Sequence, residues 1–258
     1  MARVAAVVSN GCNPDPRVLR EAGWLADAGH EVTIHAFDRS ENLPKENVIA
    51  GVKIVRHSVG YTQYGGTWST MRGLAKFRKA VIEAIGEIDL VHCHDADTLE
   101  IGLQVAKRLH TQGNSSIPVL FDMHDLHHTW VLMPKPNSLI RRFFAGRFRR
   151  KMLNQAAQVS DIVTSSEGFQ KWLAERGLDS TVVQNRPPIR ESLPKATKFT
   201  VGYLGRVREV ESFRLLLDAV RLIPEDVRPS LLIAGDGNAA VEVANMVRLA
   251  KSEGWLDA

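Results

Sequence analysis

Short runs of β-branched residues alternate with segments of helical periodicity along most of the chain. The runs predict strands at Arg3–Val8, Glu31–Phe37, Val52–His57, Asp89–His94, Pro118–Asp122, Asp161–Thr164 and Thr181–Gln184. The intervening segments predict helices at Pro16–Ala28, Thr70–Gly86, Asp97–His110, Ser138–Gln158 and Glu167–Arg176. Regular alternation of strand and helix predicts an α/β fold with a doubly wound parallel sheet and helices on both faces.

A second stretch of the same pattern covers residues 200–237. It predicts a strand, a Gly-Arg loop, an amphipathic helix, a strand and a Gly-Asp-Gly turn, and the 21 residues after Gly237 predict one more helix. Arg-Pro-Pro at 186–188 and the polar run to Lys198 are typical of a linker. We therefore expect a complete domain over residues 1–195 and an incomplete second domain over residues 196–258.

Composition narrows the class of protein. Hydrophobic residues make up 44% and charged residues 24% of the 258 residues, as is ordinary for a soluble globular protein. The polar residues near the N-terminus argue against a signal peptide, and no apolar run approaches the ~20 residues that span a bilayer. Two cysteines, Cys12 and Cys93, do not indicate a disulfide framework, so we expect a cytoplasmic protein. The net charge of +4 favours acidic partners.

Polar residues follow three of the predicted strands. In an open parallel sheet, ligands bind outside the carboxyl ends of the strands, where the strand order reverses. The candidates for such a crevice are Asn10, Gly11, His94, Asp95, His124 and Asp125. For Gly11 the alternative is an ordinary loop glycine, and for a strand-end histidine it is a loop cap. Cys12, in the first of these loops, is expected to react with thiol reagents more readily than Cys93.

Several motifs in this order resemble those of a known family. Asp15-Pro-Arg-Val, Val91-His-Cys-His-Asp and Phe121-Asp-Met-His-Asp resemble the N-terminal domain of GT-B glycosyltransferases, specifically glycosyltransferase family 4. Val201-Gly-Tyr-Leu-Gly-Arg and Leu232-Ile-Ala-Gly-Asp-Gly resemble the opening of the donor-binding C-terminal domain of that family. The resemblance covers essentially the whole chain and implies two Rossmann-like domains that face each other across a cleft.

The resemblance also implies an activity. Members of the family transfer a sugar from a nucleotide-diphosphate sugar to an acceptor hydroxyl, with retention of anomeric configuration and usually without a metal ion. Arg206 matches the arginine that binds the diphosphate, and His124 matches the histidine that contacts the transferred sugar. Gly11 matches the glycine of the loop between the domains, and His94 and Asp95 would shape the acceptor side.

Three glycines of the donor-domain motifs are further candidates for substrate contact, namely Gly205, Gly235 and Gly237. The alternative for Gly235 and Gly237 is a tight turn after a strand. The chain departs from the family at Glu211-Ser212, where a Lys-Gly pair is usual. This departure argues against activity, because a carboxylate repels a diphosphate. From the resemblance we also expect the later half of the donor domain to lie outside these 258 residues. The competing hypothesis is a non-catalytic, truncated or degenerate transferase module that binds a partner chain or a membrane surface.

Histidines and carboxylates near the strand ends raise the question of a metal site. They include His92, His94, Asp95, His124, Asp125, His127 and His128. Such side chains bind zinc and other transition metals, but no fixed ligand spacing is present. The family resemblance accounts for most of them without a metal, so we expect no metal and no other cofactor. The nucleotide sugar is then a substrate.

Residues 139–153 carry the strongest local charge. Ile140, Phe143, Phe144, Phe148 and Met152 follow helical spacing, with arginines largely on other faces. Such a helix suits an anionic membrane surface, and the chain would then bind peripherally at the inner face of the membrane. The alternative is that the aromatic residues pack on the sheet and the arginines are solvated. Nucleic acid is not expected as a partner, because no recognised motif accompanies the charge. The incomplete second domain favours self-association or a partner chain.

Overall fold

The computed structural model describes residues 1–62, 67–113, 115–132, 138–186 and 198–257. The chain divides into two compact units, Met1–Pro187 and Pro188–Ala258. The domain boundary expected at residues 195 and 196 lies outside the described residues, and so does most of the expected linker. Each unit is described by itself.

The first unit alternates strands and helices, as the hydrophobic pattern predicts. Its strands are β1 (Arg3–Val8), β2 (Glu31–Phe37), β3 (Glu46–Ile49), β4 (Val52–His57), β5 (Leu90–His94), β6 (Val119–Met123), β7 (Asp161–Thr164) and β8 (Thr181–Val182). Its helices are α1 (Pro16–Asp27), α2 (Thr67–Ala84), α3 (Leu99–Thr111), α4 (His127–Trp130), α5 (Leu139–Ala156) and α6 (Glu167–Ala174).

These strands form one sheet in the order β3-β4-β2-β1-β5-β6-β7-β8. All neighbouring strands pair in parallel except β3 and β4. The order reverses between β1 and β5, so the loops that follow these two strands open at the switch point of the sheet. The α/β class and the doubly wound parallel sheet predicted from the sequence are confirmed.

Strand β3 was not predicted. It pairs with β4 through a two-residue turn at Ala50 and Gly51, whose φ angles are 49° and 78°. Positive φ at both positions is the geometry of a type I′ hairpin, for which Asn-Gly is the usual signal. Alanine in the first position hides that signal, because a non-glycine residue rarely adopts a positive φ.

Both faces of the sheet are buried, and β1 shows the division. Val4, Ala6 and Val8 pack in a core with α1, whereas Ala5 and Val7 pack in a second core with α2, α3 and α5. Because side chains alternate across a strand, helices on both faces make β1 a continuous apolar run. This central strand therefore carries its loop, residues 9–15, to a fixed position at the switch point.

The second unit contains β9 (Thr200–Leu204), α7 (Val210–Arg221), a short 3₁₀ turn (Glu225–Val227), β10 (Ser230–Ala234) and α8 (Ala240–Ser252). The two strands are parallel, and Leu217, Leu231 and Ala250 form part of the core beneath the helices. The opposite face exposes Leu204 and Leu232. Self-association through such a face stays a prediction.

None of the helices in the described ranges is both long and apolar enough to cross a membrane.

Helix α3 packs tightly on β5 at Gly102, and this contact gives a stability test. An added Cβ at Gly102 would overlap Cys93 Sγ and lie 3.1 Å from Val119 Cγ1. We expect Gly102→Ala to lower the free energy of unfolding by ~1–3 kcal/mol through overpacking. Gly23→Ala in α1 is the matched control, because nothing lies within 4 Å of its Cβ position. We expect the control to stabilise by ~0.5–1 kcal/mol. Urea unfolding measures both, and equal shifts would contradict the packing of α3 described above.

Candidate functional site

The loop after β1 is held by its own polar groups. Asn10 Oδ1 accepts from the Cys12 amide at 2.8 Å, and Asn10 Nδ2 donates to Asp15 Oδ2 at 2.9 Å. Buried Arg56 donates from Nε to the Gly11 carbonyl at 2.7 Å. An added Cβ at Gly11 would lie 2.7 Å from Leu43 Cδ1. The group that closely approaches Gly11 is therefore a side chain of the same unit. Asn10 and Gly11 therefore have structural roles in the loop.

The relative reactivity of Cys12 and Cys93 stays a prediction. Both cysteines are fully buried. Burial raises the pKa of Cys12 to about 11 and that of Cys93 to about 12, so neither forms the reactive thiolate at neutral pH.

A buried carboxylate, Asp122 at the end of β6, lies at the centre of the polar residues. His94 Nδ1 lies 3.0 Å from Asp122 Oδ2, and His124 Nε2 lies 2.6 Å from the same carboxylate. Burial opposes ionisation of Asp122, but hydrogen bonds from His124 and His94 outweigh it and hold its pKa well below the usual range. The structure thus brings the predicted residues His94 and His124 together through a residue that was not predicted.

Glu21 of α1 approaches the same group from the neighbouring helix. Its carboxyl oxygens lie 3.8 Å from His92 Nε2, 3.9 Å from His94 Nδ1 and 3.7 Å from His124 Nε2. Burial, followed by the negative charge of Asp122, raises the pKa of Glu21 to about 8. Glu21 is therefore mainly protonated at neutral pH in this arrangement.

Asp95 lies beside this group and pairs with α1. Arg17 Nη2 donates to Asp95 Oδ2 at 3.1 Å, and both side chains are largely buried. The Asp95 backbone has a φ of 68° and donates its amide to the Asp122 carbonyl at 3.0 Å. Arg17 and Glu21 were missed as site residues. The sequence feature that could have identified them is their i, i+4 spacing on α1, which puts both charged side chains on one face of the helix.

A polar pocket of about 510 Å³ opens beside His124. Arg17, His124, Asp125, Ser165 and the segment 184–186 line it. Ser165 follows β7 and Gln184 follows β8, so both lie after strand ends like the residues that were predicted. The strand-end rule, extended to the last two strands, would have found them.

In the second unit, two glycines permit a close contact between loops. The Gly205 amide donates to the Ala234 carbonyl at 3.0 Å, and the Val207 amide donates to the Asp236 carbonyl at 2.8 Å. Gly235 and Gly237 have φ angles of 152° and 151°, and an added Cβ at either would overlap a backbone carbonyl of the other loop. These glycines are thus required for packing, whether or not a ligand contacts them.

Arg206 is exposed on this pair of loops, shortly before α7 begins. Among the described residues, its guanidinium has no ion-pair partner within 4.0 Å, and its carbonyl accepts from Tyr203 Oη at 2.8 Å. The N-cap residue of α7, Glu209, makes no side-chain hydrogen bond to the helix. The first backbone amides of α7 are therefore available to an anion. Glu211 lies 3.9 Å from Arg214 in an exposed ion pair.

Comparison with known protein families gives one match. The profile of the family described as glycosyl transferase 4-like domain matches residues 14–188, which is more than half of the chain. No curated protein sequence matches the chain.

Solved structures share the fold. Sucrose-phosphate synthase from Thermosynechococcus elongatus has a TM-score of 0.67 at 16% identity, with 99% of this chain and 68% of that one covered. The catalytic domain of starch synthase IV from Arabidopsis thaliana, bound to ADP and acarbose, has a TM-score of 0.63 at 13% identity, with 99% and 73% covered. HepE from Anabaena, in complex with UDP and glucose, has a TM-score of 0.57 at 15% identity, with 100% and 68% covered. These structures confirm the fold class, and the family profile over residues 14–188 confirms the family resemblance expected from the motifs.

Proposed function

The chain belongs to the glycosyl transferase 4-like family, and from that premise we propose that it transfers a sugar from a nucleotide-diphosphate sugar to an acceptor hydroxyl with retention of configuration. The observation that carries the proposal is the exposed Arg206 close in sequence to an uncapped helix N-terminus. Two structures of similar fold contain ADP or UDP, which makes a nucleoside diphosphate the first ligand to test.

The donor's leaving group explains why a cation is needed at this loop. Negative charge develops on the diphosphate as the sugar departs, and a guanidinium with free helix amides stabilises that charge. Glu211 opposes the anion, because its carboxylate lies in the first turn of α7. Arg214 partly neutralises it, although an exposed pair of this kind contributes little. The proposal therefore assigns the diphosphate to Arg206 and the α7 amides.

The polar pocket of the first unit supplies groups that suit a sugar. When neutral His124 donates from Nε2 to Asp122, its Nδ1 becomes a hydrogen-bond acceptor for a hydroxyl. Ser165 and the side chains of 184–186 add further hydrogen-bonding groups. We propose that His124 contacts the transferred sugar and that Asp122 fixes the orientation of its ring.

Calorimetric titration of the 258-residue protein with UDP and GDP tests the donor site. We expect saturable binding of one of them and a loss of at least ~10-fold in affinity for Arg206→Ala, because a charge-assisted hydrogen bond contributes ~1.5–3 kcal/mol. Arg248→Ala on α8 is the matched control, since it removes an exposed arginine of the same unit and should leave affinity unchanged.

Two results would contradict the proposed function. One is equal nucleotide affinity in the Arg206→Ala variant and the unmodified protein. The other is a product, from a screen of nucleotide sugars and acceptors, whose anomeric configuration is inverted by NMR.

A second proposal concerns helix α5, whose two halves differ. Phe148 and Met152 in its second half pack against the core. In its first half, Leu139, Ile140, Phe143 and Phe144 are more than half exposed. Exposed basic residues on the same helix are Arg142, Arg147, Arg149, Arg150 and Lys151. Apolar side chains beside arginines suit the interface of an anionic bilayer, and we propose that α5 binds one.

Vesicle flotation tests this surface. We expect the protein to float with vesicles containing phosphatidylglycerol and not with phosphatidylcholine alone, and 0.5 M salt should weaken binding because charge contributes to it. Phe143→Ser combined with Phe144→Ser should abolish flotation. Leu222→Ser, which removes an exposed leucine of the second unit, should have no effect. Flotation that is equal with both lipids, or unchanged in the double variant, would refute membrane binding by α5.

A further inference from the structure

Four potential metal ligands converge behind His124, from three separate elements. They are Glu21 of α1, His92 and His94 of β5, and Asp122 of β6. One nitrogen or carboxylate oxygen from each lies within 4.8 Å of all the others. A tetrahedral zinc ion with bonds of about 2.0–2.1 Å needs its ligand atoms about 3.3 Å apart. Small side-chain movements would therefore close the four atoms around an ion.

Among the described residues, two buried ring nitrogens of this group, His92 Nε2 and His94 Nε2, have no hydrogen-bond partner. His92 is 4% exposed, and its Nε2 has no hydrogen-bond partner among the residues that the structure describes. The same nitrogen points toward Glu21, with Oε2 at 3.8 Å. Buried polar atoms without partners are uncommon in native proteins, and each requires an explanation such as an ion. This unpartnered nitrogen is the second observation that indicates a ligand.

The charges of the group also suit a divalent cation. An ion would displace the proton of Glu21, whose carboxylate would then join that of Asp122 in supplying two negative charges. The two histidines bind a metal through neutral imidazole. The nearby Arg17 pairs with Asp95 at 3.1 Å, which reduces its repulsion of an ion. His124 remains hydrogen-bonded to Asp122 as an outer partner, the arrangement that commonly orients a metal-binding carboxylate.

We propose that Glu21, His92, His94 and Asp122 bind a divalent transition-metal ion, with Zn²⁺ as the best fit to two imidazoles and two carboxylates. The ion would hold Asp122 in place and through it the ring of His124, so its role is structural support of the pocket. The sequence-based expectation of no metal did not count Glu21 or Asp122. This proposal does not depend on sugar transfer.

Metal-depleted 258-residue protein provides the test. We expect Zn²⁺ to bind with one-to-one stoichiometry by calorimetry, and Co²⁺ to give the visible absorption of a tetrahedral site. Glu21→Gln, which preserves side-chain shape, and His92→Gln, which keeps a polar side chain, should each weaken Zn²⁺ binding by at least about tenfold. Circular dichroism confirms that both variants fold.

Two control variants distinguish other sources of binding. His110→Gln removes an exposed histidine. Asp125→Asn removes a member of the neighbouring group of Asp95, Asp125 and His127. Both should bind Zn²⁺ like the unmodified protein. No one-to-one binding, equal affinity in Glu21→Gln and His92→Gln, or weaker binding only in Asp125→Asn would each overturn the proposal.

Discussion

The buried negative charge of Asp122 is the constraint on which the polar centre of the first unit depends. A carboxylate removed from water requires partners, and an unpaired buried charge costs several kcal/mol. β6 lies next to β5, one strand away from the reversal of strand order, so the partners come from β5, from the loop after β6 and from α1. The need to pair the Asp122 carboxylate thus positions His94, His124 and Glu21. It also determines the geometry of the pocket beside His124.

The second unit depends on a different constraint, the contact between two backbones. Gly235 and Gly237 allow their loop to meet residues 205–207, where any side chain would overlap a carbonyl. The amide of Val207 is bonded to Asp236, and the neighbouring Arg206 side chain is left exposed. The glycines therefore fix the position of the loop that carries Arg206. The Gly-Asp-Gly turn at 235–237 is therefore required for packing and also determines the position of Arg206.

The pattern of apolar and polar residues was enough to predict the parallel strands of the sheet, because apolar runs such as β1 and β2 need helices on both faces. The strand-end rule also identified His94, His124 and Asp95. It missed Glu21 and Arg17, since a helix residue reaches the switch point only through the packing of α1, which periodicity does not specify. The burial of Cys12 was not predicted for a similar reason, because side chains such as Arg56 and Leu43 can bury a loop that follows a strand. For α5, spacing left open whether the aromatic residues pack, and only tertiary contacts separate exposed Phe143 from Phe148.

We propose that the loop of Arg206 and the first turn of α7 form the diphosphate site. Hydrogen–deuterium exchange of the 258-residue protein with millimolar UDP, GDP or ADP tests it most directly, because a phosphate that accepts hydrogen bonds from backbone amides slows their exchange. We expect slower exchange across residues 206–211 with at least one nucleotide, and unchanged exchange in α8. Unchanged exchange across residues 206–211 with all three nucleotides would contradict it.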